Sequence, residues 1–162
     1  MEDHVSTILE QWRRVRPELD VGPMGTVGRL SRLARDVEYK LDQNFARFGL
    51  DTVAFDLLAA LRRQGDPYSL SPKTLQFEMM ISSGSTTYRI DRLEQRGLVA
   101  RQPDPGDRRG THVRLTSEGL ALIDDVVASH VQLEASYLSV LSPAQGRKLE
   151  ELLTLLTQAQ GL

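Results

Sequence analysis

The most constraining feature of the sequence is one change of texture in an otherwise helical chain. Up to Gly97, and again from Thr116, apolar residues recur every three or four positions, the period of amphipathic helices. Between them, residues 98–102 and 111–115 form short β-prone runs. These runs flank Pro103-Asp104-Pro105-Gly106-Asp107-Arg108-Arg109-Gly110, a turn-rich loop with a cationic tip. The spacing therefore predicts a single two-stranded hairpin directly after a helix.

What precedes the hairpin narrows the choice further. Asp51 is a natural N-cap for a helix over 52–63, which Gly65-Asp66-Pro67 stops. Ser71-Pro72 pairs an N-cap with proline at the first helical position and opens a short helix to about residue 79. Ser82 or Ser83 caps the next helix, which closes at Gly97, a good left-handed C′ residue. Three such helices joined by tight turns make a helix-turn-helix, and a following hairpin makes it a winged helix.

The flanks are helical too. Residues 5–16 carry Val5, Ile8, Leu9, Trp12 and Val15 on one stripe, broken by Pro17 and Gly22-Pro23. A longer helix over about 24–48 has a narrow seam of Val27, Leu30, Ala34, Val37, Leu41, Phe45 and Phe48. Such a seam packs against another helix, in this chain or in a second copy. Thr116 caps a helix over about 117–139, and Ser142-Pro143-Ala144-Gln145 is a capping box opening a leucine-rich last helix. With 162 residues, the chain fits one domain by the rough prior of ~150 residues each. The expected fold is mainly α with a small β-hairpin wing. A winged helix-turn-helix spans 49–116, flanked by helical regions over 23–48 and 117–162, with a further N-terminal helix in 1–22.

Composition removes several function classes. Zero cysteines exclude disulfides, thiolate metal sites and a cysteine nucleophile. The three histidines are scattered, with no HExxH, GxSxG or phosphate-cradling glycine loop, so neither an enzyme nor a bound cofactor or metal is expected. No apolar run approaches the ~18 residues of a membrane span, and the N-terminus lacks the pattern of a signal peptide. A cytoplasmic protein is the expectation. Net charge is −2, but residues 82–115 hold seven arginines against four acids, a local +3, while residues 116–162 hold two basic residues against six acids, a local −4.

That local excess has a chemical reading. The first turns of the 83–96 helix carry Ser83, Ser85, Thr86, Thr87 and Arg89: hydroxyls short enough to approach bases or phosphates, and a guanidinium suited to guanine or phosphate. Free amides at that helix end also favour phosphate. Arg108 and Arg109 at the hairpin tip can reach an adjacent groove or the backbone. Duplex DNA is the expected partner. The alternative is a winged-helix module that binds protein, which has no need for two arginines at its tip.

The segment Asp91-Arg92-Leu93-Glu94-Gln95-Arg96-Gly97-Leu98-Val99, then Arg101, then Asp104-Pro105-Gly106-Asp107-Arg108-Arg109-Gly110 and Leu115-Thr116-Ser117-Glu118-Gly119 resemble, in order and spacing, the MarR family of bacterial transcription regulators. The resemblance implies a homodimer, with 23–48 and 117–162 as its dimerisation helices, 1–22 as an added helix, and a winged helix on each half of a pseudo-palindromic operator. It also implies that Asp107 ties the wing to an arginine of the recognition helix, with Arg92 the candidate; a plain solvent-exposed turn aspartate is the alternative.

A narrower resemblance, to the urate-responsive branch of that family, rests on the extra helix with Trp12-Arg13-Arg14, on Pro23-Met24, on residues 28–34 and on Phe55-Asp56. It implies that Trp12, Asp56 and Arg89 line a site for a small anionic effector, urate or a related purine. An indole stacks on a flat heterocycle and arginine neutralises its charge. The bland alternatives are a core role for Trp12, a helix salt bridge for Asp56 and DNA contact for Arg89.

Overall fold

The structure, a computed structural model, describes residues 3–79, 83–103 and 110–161, the side chains of 83–85 excepted. Its elements are α1 (His4–Val15), α2 (Gly22–Ala46), α3 (Thr52–Arg62), β1 (Ser69–Leu70), α4 (Pro72–Met79), α5 (Ser83–Gln95), β2 (Val99–Pro103), β3 (Thr111–Leu115), α6 (Ser117–Leu138) and α7 (Pro143–Gln160). The mainly helical expectation holds, with one addition. The sheet has three strands in the order β1-β3-β2, not two.

The chain clusters into two compact units, Met1–Gln43 and Asn44–Leu162. The division falls inside α2. In the first unit Val5, Leu9 and Val21 form a small apolar cluster. Gly25 lets α1 approach α2: a Cβ there would stand 2.9 Å from Leu9 Cδ1. Asp3 caps α1 by accepting from the Ser6 amide at 2.8 Å. From α2, Arg29 Nε donates to Asp3 Oδ2 at 2.7 Å, and its Nη2 reaches Asp3 Oδ1 at 3.0 Å. That guanidinium, helped by the Ser6 amide, holds the Asp3 carboxyl down at about 2.

The second unit begins with the last turn of α2. Phe45 stacks on Phe55 of α3 with ring centroids 4.2 Å apart, and His130 of α6 lies 5.0 Å from Phe55. Buried Phe55, Leu57, Leu58, Ala60 and Leu61 make α3 the central helix of this unit. Its neighbours supply Leu75 from α4, Ile90 and Leu93 from α5, Val99 and Val113 from the sheet, and Ile123 and Val126 from α6. Asp51 caps α3 through the Ala54 amide at 2.7 Å, as its sequence position predicts. The Ser142–Gln145 capping box is formed in full. In α7, by contrast, no described residue is buried, and Leu149, Leu152, Leu153, Leu155 and Leu156 are all exposed.

Two local devices place the wing against the helix before it. Gly97 adopts φ +72°, the left-handed turn that ends α5 and starts β2. Thr116 Oγ1 then donates to the Gly97 carbonyl at 2.7 Å, and the Thr116 amide donates to the Leu98 carbonyl at 3.2 Å. The start of α6 is thereby fastened to the junction between α5 and the sheet. Within the hairpin, Val99 pairs with Leu115 and Arg101 with Val113, so Val99, Val113 and Leu115 share the buried face.

Candidate nucleic-acid interface

The second helix of the helix-turn-helix, α5, sorts its residues by helical period. Thr86, Ile90 and Leu93, spaced four and three apart, form the inward face and are 2%, 1% and 2% exposed. This corrects the reading of Thr86 as a base-approaching hydroxyl. Its position falls on the apolar stripe, so packing turns it into the core. Thr87 and Tyr88 face outward, Tyr88 at 60% exposure. Arg92, one turn further on, is exposed too and sets its guanidinium 6.0 Å from the Tyr88 ring centre. Ser83 and Ser85 belong to the first turn of α5, but their side chains lie outside the description.

Arg89 is half-buried and points toward the N-terminus of α3, its Nη1 3.4 Å from Asp51 Oδ1. Arg96, two turns below, donates from Nη1 to the Gly49 carbonyl at 2.8 Å. Together Arg89, Arg92 and Arg96 line a cavity of about 170 Å³ with Gly49, Asp51 and Tyr88. Their spacing of three and four was legible in the sequence as one cationic face. That this face looks partly back at α3 was not. Sequence reasoning missed Tyr88, Asp51 and Arg96 here; the recurrence of arginine at helical spacing was the available signal for the last.

For Arg101, which the sequence marks only as part of the motif, the structure adds the partners. Arg101 on β2 turns back toward α5, where its Nη2 donates to Asp91 Oδ1 at 2.5 Å and its Nη1 to Glu94 Oε2. The Arg101 amide also donates to Glu94 Oε1 at 3.0 Å. The hydrogen bond to Asp91 raises the guanidinium pKa above its usual value, with the charge of Glu94 assisting. Asp107, Arg108 and Arg109 lie outside the described residues, so the expected tie between Asp107 and Arg92 does too.

The three residues expected to meet an effector fall in different units. Trp12, on α1, belongs to the first and is 39% exposed. Asp56 and Arg89 belong to the second. Asp56 is on the exposed side of α3, yet desolvation by its surroundings pushes its carboxyl above the usual range, against the opposing pull of Arg63 and His130. Among the described residues no group of three or more His, Cys, Asp and Glu is placed to hold a metal ion.

A family model described as MarR family matches residues 48–110. The HTH-type transcriptional regulator PecS of Dickeya dadantii is 45% identical over 149 residues, which cover 92% of this chain and 90% of that protein. The HTH-type transcriptional regulator MhqR of Bacillus subtilis is 31% identical over 124 residues, covering 76% and 83% respectively. Among solved structures, Sco3205 of Streptomyces coelicolor, a MarR family transcriptional regulator crystallised in complex with DNA, superposes with a TM-score of 0.74 at 24% identity. That match covers 87% of this chain and 89% of the other, and it speaks for the fold. With the winged helix in place and such likeness along nearly its whole length, the chain belongs to the MarR family.

Proposed function

We propose that the protein is a homodimeric, DNA-binding transcriptional regulator. The observation that carries this reading is the outward face of α5, where Thr87, Tyr88 and Arg92 stand exposed at the end of a helix-turn-helix. The likeness to two proteins named as transcriptional regulators supports it. In this reading α5 enters the major groove with Ser83, Ser85, Thr87 and Arg89 near its leading end, while Arg108 and Arg109 reach the backbone or the neighbouring groove. The exposed leucines of α7 argue for a second copy, since an isolated chain would leave a large apolar patch in water. The test is selection of duplexes from a randomised pool, followed by footprinting and sedimentation at micromolar concentration. Protection of a two-fold symmetric site by a species of twice the chain mass is the expected result. A monomer, or a protein that enriches no duplex and captures only protein partners, overturns it.

The regulator in this reading is a repressor released by a planar, weakly acidic heterocycle such as urate or a related purine, with Trp12, Asp56 and Arg89 taking part in the response. The half-buried guanidinium of Arg89 and the raised pKa of Asp56 support it, because both groups are sensitive to a neighbouring anion. A ligand that prefers the DNA-incompetent state by ~2–3 kcal/mol lowers operator affinity ~30- to 150-fold. Titrating purines and aromatic acids against the protein–operator complex, with fluorescence of Trp12 as the sole indole, tests this. Asp56→Asn is expected to bind operator and respond poorly. Release as ready as in the wild type removes Asp56 from the response.

A further inference from the structure

Two acids on a helix that faces a polyanion are a puzzle on charge alone. Asp91 and Glu94 sit on α5, and each carboxylate costs attraction to phosphate. Their geometry supplies a reason. Both are taken up by one guanidinium from the neighbouring strand, and Glu94 accepts from the backbone of that strand as well. A planar guanidinium presents its donors as a fork, so it can serve two carboxylates at once, which a lysine ammonium on a flexible stem does poorly.

We propose that Arg101 is a positioning residue for DNA recognition: with Asp91 and Glu94 it clasps β2 to α5, fixing the angle at which the hairpin leaves that helix. The inference rests on the DNA-binding reading above. The junction at Gly97 and Thr116 fixes the start of β2. Further along, β2 is paired to β3 and β3 to β1, but these bonds lie within the sheet; Arg101 is what ties the strand to α5 at this point. Arg108 and Arg109 follow β2 in the chain, so an angular error at residue 101 changes the direction in which the strand delivers that segment. The guanidinium is thus spent inside the protein, not on a phosphate. Its pairing also explains why Asp91 and Glu94 do not act as a repulsive patch.

Two measurements separate this from a direct phosphate contact and from a merely structural pair. Because the chain has no cysteine, spin labels can be placed at Gln95→Cys on α5 and Gln102→Cys on β2, both exposed. Dilution with unlabelled protein leaves one labelled protomer per dimer. The distance distribution in the DNA-free protein is expected to broaden in Arg101→Ala and in the pair Asp91→Ala/Glu94→Ala. Arg101→Lys, which keeps the charge and the stem, is expected to fall between and serves if the alanine variants do not fold.

The second measurement is affinity against salt, on a duplex enriched by the wild-type protein. Arg101→Ala and the double acid variant are each expected to bind ~10-fold more weakly, the scale of one charge-assisted hydrogen bond. The salt slope should stay as in the wild type. Tighter binding by the acid variant, a slope reduced by about one unit in Arg101→Ala, or an unchanged distance distribution overturns the clasp. If the wild type enriches no duplex, the DNA-binding reading fails, while the distance measurement still decides whether the clasp orders the wing.

Discussion

Gly119 is the position where a single methyl group tests the packing between the recognition helix, the wing and α6. It is the third residue of α6, and its amide donates to Thr116 Oγ1 at 3.0 Å. A Cβ built on it would stand 1.9 Å from the Leu98 carbonyl oxygen, 2.8 Å from the Leu98 carbonyl carbon and 3.2 Å from its Cα. These are backbone atoms, so no rotamer change relieves the clash. Ordinary contact begins near 3.4 Å, so α6 must retreat from β2 by roughly 1.5 Å, a shift that overpacked cores resist at about 1–3 kcal/mol. The same movement breaks the hydrogen bond from the Thr116 amide to Leu98, worth about 1 kcal/mol more. Gly119→Ala is therefore expected to destabilise the protein by about 2–4 kcal/mol. For a chain of this length that is a fall in Tm of roughly 5–15 °C. Thermal denaturation followed by circular dichroism checks this, at one fixed protein concentration because dimer stability depends on it. Gly28→Ala is the matched control. Its Cβ would meet Val5 Cγ1 at an ordinary 3.5 Å, and it should stabilise by about 0.5–1 kcal/mol as a glycine replaced within a helix. A Gly119→Ala protein melting within 2 °C of the wild type would refute the argument that this glycine is required by close approach.

Three further outcomes are expected. Arg108→Ala and Arg109→Ala should weaken operator binding and each flatten the salt dependence by about one unit, measured by titration at several salt concentrations; an unchanged slope takes the wing off the DNA. Asp3, held at about 2 by Arg29, has a folded pKa below its unfolded one, so its stabilisation of the α1 cap is present above about pH 4 and is lost as pH falls toward 2. In Arg29→Gln its NMR titration should move up toward the ordinary carboxylate value. Asp56 has the opposite sign: its folded pKa is raised by desolvation, so its cost to stability is absent at low pH and grows as pH rises through the folded pKa. Asp56→Asn should melt higher than the wild type at pH 7, with the difference vanishing near pH 3.5.

The amino-acid sequence determined what is local. Asp51, Ser142 and Gly97 occupy their caps because a short side-chain oxygen or a missing Cβ suffices there, whatever the rest of the chain does. The helix over 52–63 is Thr52–Arg62, and the hairpin strands lie within a residue of the runs that announced them. The resemblance to the MarR family, read from the order of its motifs, agrees with the likeness to PecS along nearly the whole chain.

Only the tertiary structure decided what depends on pairing between distant segments. Ser69–Leu70 is too short to show a strand period, and it is a strand because β3 offers it partners at Arg114 and Val113. Thr86 was indistinguishable from Thr87 in composition. The packing of Ile90 and Leu93 against the core fixed the rotation of α5, burying one hydroxyl and exposing the other. Arg89 turned toward Asp51, and Arg101 toward Asp91 and Glu94, across separations that no helical or strand period encodes. The physical reason is common to all of these. A propensity or a cap is an interaction within a few residues, whereas the face a helix presents and the partner a charge finds are set by the core that orients both.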